Sequence, residues 1–84
     1  MNYKSPAIEA DVVANARTKG LALFRVIVLR FDEYLRLTHY LHADRELARS
    51  MASDLARLHG PREAIVEEID SASGLVISAF KPGA

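Results

Sequence analysis

Cysteine is absent from the sequence, which excludes a disulfide framework, a thiolate metal site and a thiol nucleophile. Glycine is scarce. Only four occur in 84 residues, and neither GxGxxG nor a GxxxxGK run followed by Ser or Thr is present, so no standard phosphate-cradling loop exists. A surplus of either charge is missing too, because 11 lysines and arginines stand against 11 aspartates and glutamates. The basic excess that usually marks a nucleic-acid partner is therefore lacking. No apolar run approaches the roughly 20 residues of a membrane span, and Met1–Lys19 has no apolar core of the kind a secretion signal needs. A soluble cytoplasmic chain with no membrane partner is the expectation. Internal repeats, low-complexity stretches and long linkers are also absent. The length suits one small domain, 1–84, with 1–4 and 81–84 expected to fray.

What is present is a series of short apolar segments with sparse punctuation. Ser5 is placed to cap a first helix that Pro6 begins, with Ile8, Val12 and Ala16 on one stripe and Gly20 as the stop. The alternation of Ile8, Ala10 and Val12 also permits a strand there. Leu21–Phe31 is dense in branched and large apolar side chains, which predicts a central strand with both faces covered. Tyr34–Leu41 alternates, with Leu35, Leu37 and Leu41 on one side and Tyr34, Arg36, Thr38 and Tyr40 on the other, as a half-buried strand does. Asp32-Glu33 is a weak joint between them, being unlike the Asn-Gly type of tight hairpin. The competing reading is all-α, with one long helix from Leu21 to His59.

The best-marked element is a helix over Arg45–Leu58, capped by Asp44 and ended by Gly60-Pro61. Leu47, Met51, Leu55 and Leu58 form an apolar line expected to face the core, with Ala48 and Ala52 beside it. Ala64–Asp70, the turn Ser71–Gly74 and Leu75–Phe80 then read as strand, turn and strand. A short third helix from Pro61, with Ile65, Val66 and Ile69 on one face, is the alternative. The predicted fold is α+β: an N-terminal helix, then ββαββ, with the main helix on one face of a four-stranded antiparallel sheet. If both hairpins flank that helix, strand order 2-1-3-4 makes every neighbouring pair antiparallel.

Chemistry is thinly signalled. His39 and His42 stand three apart, which favours a shared metal ion on a helix but puts them on opposite faces of a strand. Glu67 and Glu68 are adjacent, so on a strand they cannot act as a pair on one substrate. No serine lies in a Gly-x-Ser-x-Gly turn. No catalytic residue, metal or cofactor is therefore assigned. The chain instead divides by sign, basic over Arg17–Arg36 and acidic over Glu63–Asp70. One account is intramolecular, with Arg25 or Arg30 meeting Glu67 or Glu68 in exposed pairs that contribute up to about 1 kcal/mol. The other is a surface whose charge guides a partner.

These features predict a non-enzymatic protein-interaction module, a small subunit, adaptor or inhibitor that self-associates or covers a protein partner. Its candidate surface comprises Arg25, Tyr34, Arg36, Tyr40, Glu67, Glu68 and Arg49. Two further readings are a small-ligand-binding protein or enzyme whose pocket forms on oligomerisation and uses His39, Tyr34 or Tyr40, and a single-strand nucleic-acid binder that stacks bases on Tyr34 and Tyr40 near Arg36. The mixed charge disfavours nucleic acid.

Overall fold

The computed structural model describes residues 5–30, 33–60 and 63–82, without the side chains of Arg30 and of residues 33–36. The chain runs α1 (Ala10–Lys19), β1 (Ala22–Arg30), β2 (Glu33–His42), α2 (Arg45–His59), β3 (Ala64–Ile69) and β4 (Val76–Phe80). The strands form one antiparallel sheet in the order β2-β1-β3-β4. The α+β reading holds, and the long central helix and the third helix do not form. The run Val26-Ile27-Val28 decides this, since branched side chains favour an extended backbone and β1 is covered on both faces.

Local signals act where glycine and aspartate require them. Gly20 takes the left-handed conformation, φ 64°, and its N–H returns to Ala16 and Arg17 carbonyls to close α1. The Asp44 carboxylate accepts from the Glu46 and Leu47 N–H groups to start α2. Asp70 accepts from the backbone N–H groups of Ala72 and Ser73 and from the Ser73 hydroxyl, which organises the turn into β4. In β1–β2 the pairing continues to Arg30↔Glu33, so Glu33 is already strand; Phe31 and Asp32 lie outside the described residues. No helix among the described residues is long and apolar enough to cross a membrane.

Three placements differ from the sequence reading. First, α1 begins at Ala10 with Glu9 as its N-cap, and Ser5–Glu9 is not helical. Ser5, Pro6 and Ala7 give their oxygens to Arg25 instead of starting a helix. Second, of the segment 81–84 expected to fray, Lys81 is exposed and Pro82 is buried; 1–4, 83 and 84 lie outside the described residues.

The third difference is the roll of α2. Ala48, Ala52 and Ala56 are fully buried against Phe24, Val26, Val28, Ala64 and Val66. Leu55 is only partly buried at their edge, and Leu47, Met51 and Leu58 are exposed at 44%, 44% and 84%. At 100° per residue the three alanines span roughly 80° of the helix, and the exposed side chains lie about 120° round from their centre. The large side chains of β1 already fill the layer beneath the helix, so methyl groups are what fit.

On the opposite face, α1 covers one end of the sheet. Val13 and Ala16 pack with Leu23 and Ile69, joined by Val12, Leu41 and Val76. Ile27, Leu29 and Ile65 form a further buried group on that side. Between the two apolar groups lies a polar row.

Candidate functional site

The polar row follows from register. Arg25 is paired with His39 across β1–β2 and with Glu67 across β1–β3, so all three share the face away from α2. Arg25 and Glu67 are completely buried. The Arg25 guanidinium donates from Nε and Nη2 to Glu67 Oε1 at 2.8 and 2.6 Å. Its remaining donors reach Ser5 Oγ at 2.9 Å and the carbonyls of Pro6 and Ala7 at 3.0 and 3.4 Å. The segment before α1 is thus strapped over the row.

This arrangement corrects the sequence reading in a specific way. The basic and acidic halves do meet within the chain, through the pair Arg25–Glu67, but the pair is interior and not exposed. Neither residue is on the surface of the monomer. Glu68 is also nearly buried, and on the α2 side. Arg45 grips it bidentately, with Nε and Nη2 each 2.7 Å from one of its oxygens, while Nη1 reaches Glu46 at 2.9 Å. These hydrogen bonds to Glu68 raise the Arg45 pKa further above its ordinary value. Tyr40 packs, partly buried, against the core under α2. The Tyr34 and Arg36 side chains lie outside the described residues, their backbones pairing with Leu29 and Val28. Of the seven candidate positions, Arg49 alone is described as exposed.

The histidines separate as the strand geometry requires. Burial lowers the pKa of His39, and the neighbouring Arg25 charge lowers it further, against an opposing pull from Glu9. His39 Nε2 is buried without a hydrogen-bond partner. His42 accepts the Asp44 N–H on Nδ1 at 2.8 Å, a local turn contact, and His59 closes the last turn of α2. No group of three or more His, Asp or Glu side chains converges among the described residues.

Helix α2 carries two distinct outward surfaces. One is the apolar stripe Leu47, Met51 and Leu58. The other is a cleft of about 410 Å³ between α2 and the end of β4. Arg49, Arg57 and Lys81 supply its cations, Ser50 and Ser53 its hydroxyls, and Phe80 its aromatic wall. The Arg49 guanidinium carbon sits 4.8 Å from the centre of the Phe80 ring. Arg57 is shared with Asp54 at 3.0 Å. Sequence reasoning missed the stripe because it gave the leucines to the core. The available signal is the triad Ala48, Ala52 and Ala56 at strict four-residue spacing. Compared with known proteins, the chain matches no family model, no curated protein and no solved structure.

Proposed function

We propose that the protein is a non-enzymatic interaction module that self-associates through the outer stripe of α2. The observation carrying this reading is that α2 seats its alanines on the sheet and leaves Leu47, Met51 and Leu58 in solvent. A second copy is the occupant favoured by spacing. Leu47, Met51, Asp54 and Leu58 are separated by four, three and four residues, a pattern that reads the same in both directions. Two antiparallel α2 helices would therefore set Leu47 against Leu58 of the other copy, and Met51 against Asp54. This is the a/d spacing of a short coiled-coil seam, with one polar position to define register. Asp54 already has Arg57 as its counter-ion. Much of the remaining polar chemistry is engaged in the fold: Arg25 with Glu67, Arg45 with Glu68, Asp44 at a cap and Asp70 in a turn.

Burying these side chains gives roughly 1–2 kcal/mol each, and over two copies that is comparable with the entropy lost on association. A reversible dimer in the micromolar range or weaker is the expected strength. Sedimentation velocity across a wide concentration range should show a monomer–dimer equilibrium. The variant Met51→Glu/Leu58→Glu should be monomeric at every concentration and melt like the dilute wild-type protein, because both positions are exposed. A wild-type protein that is monomeric throughout, or a variant that still dimerises, overturns the reading.

A further inference from the structure

We propose that the cleft between α2 and the end of β4 binds a small phosphate ester. The argument starts from how the arginines are occupied. Among the described residues, Arg25, Arg45 and Arg57 each have a carboxylate, and Arg17 donates to the carbonyls of Ser71 and Ala72. Arg49 has no oxygen partner in that set, and its contact is the Phe80 ring. A cation–aromatic contact engages the guanidinium charge and consumes none of its N–H donors. Arg49 therefore keeps its donors for an oxyanion, which a guanidinium can grip at two points.

The same cleft collects what such an anion needs next. Lys81 brings a second charge with no carboxylate partner among the described residues, and Ser50 and Ser53 bring hydroxyl donors. Glu46 also lines the cleft, and its carboxylate is neutralised by Arg45 at 2.9 Å. Two uncommitted cations match the charge of a phosphate monoester, which is about −1.5 to −2 near neutral pH. A free volume of about 410 Å³ accommodates the phosphoryl group together with a sugar-sized body. In a chain of zero net charge, this concentration of unpaired cations is local. The inference does not rest on self-association: Leu47, Met51 and Leu58 do not line the cleft, and Arg57 is its one link to the seam, through Asp54.

The test is an amide-resolved NMR titration of the full chain with glucose 6-phosphate, inorganic phosphate and glucose at low salt. The expected result is saturable one-to-one binding of glucose 6-phosphate, with the largest shifts at residues 49, 50, 53 and 81. Inorganic phosphate should bind several-fold more weakly, and glucose not at all. Arg49→Ala and, separately, Lys81→Ala should each lower the affinity about tenfold with unchanged melting curves, whereas Lys19→Ala on α1 should leave it unaltered. Absence of saturation overturns the proposal, as do equal affinity for inorganic phosphate, an effect of Lys19→Ala equal to that of Arg49→Ala, or an affinity untouched by both cleft variants. Tighter binding of a single-stranded oligonucleotide by the same residues would replace it with nucleic-acid recognition.

Discussion

Replacing Glu67 by glutamine isolates the energetics of the buried row. The substitution keeps the volume of the side chain and one accepting oxygen, and removes only its charge. Arg25 would then remain buried with its charge uncompensated, retaining Ser5 Oγ and the Pro6 and Ala7 carbonyls as neutral partners. Breaking a buried pair from one side costs about 3–5 kcal/mol, and the surviving acceptors place Glu67→Gln near 3 kcal/mol. A domain of this length has a total stability of about 4–13 kcal/mol, so a large fraction would be lost. The double variant Arg25→Met/Glu67→Leu should recover to within about 1 kcal/mol of the parent, or exceed it, because it removes both desolvated charges together. Urea unfolding followed by circular dichroism, with linear extrapolation and comparison of m values, reads both effects. A Glu67→Gln loss below about 1 kcal/mol, or a double variant as unstable as the single, would refute the view that the pair is desolvated.

Ala52→Leu should destabilise by about 1–3 kcal/mol through overpacking under α2, while Leu58→Ala should stay within about 0.5 kcal/mol; reversed magnitudes in the same urea assay would mean that the helix is rolled the other way. Asp44→Ala should cost about 1 kcal/mol by leaving the Glu46 and Leu47 N–H groups without their acceptor, measurable as a lower urea midpoint. His39 sets an acid dependence. Its folded pKa is depressed, so its contribution is complete above the ordinary histidine value of about 6.5 and is lost as pH falls through the folded value, the unfolded chain taking up the proton first. His39→Gln should flatten that part of the stability profile, and an unaltered slope would assign the acid sensitivity to other groups.

Element order and sheet order were open to sequence reasoning because they depend on local chemistry. The branched run in β1, the Asp44 and Gly20 caps and the Ser71–Gly74 turn each act within a few residues. Once hairpins flank a helix, antiparallel pairing leaves little freedom in strand order. The site was less accessible for a related reason. Whether α2 turns leucine or alanine inward depends on how much volume β1 and β3 put beneath it, which is a property of three segments at once. Likewise, adjacency of Glu67 and Glu68 shows that they face opposite ways. It does not show that one meets Arg25 in the interior and the other meets Arg45 beside the helix. Ser5 followed by Pro6 is a sound helix start in isolation, and it lost to a guanidinium that needed oxygen partners.

The alanine seat of α2 has a mechanical consequence. A helix resting on leucines can rotate about its axis, because each supporting side chain has alternative rotamers that keep the layer filled. Methyl groups have none, so a helix standing on Ala48, Ala52 and Ala56, with Leu55 alone able to adjust at their edge, has little freedom to turn about that axis. The two flanks of α2 are then held at a constant angle like faces cut on one rigid bar, and filling one does not turn the other. On the two proposals above, the seam and the cleft would then be filled without either one rolling the helix.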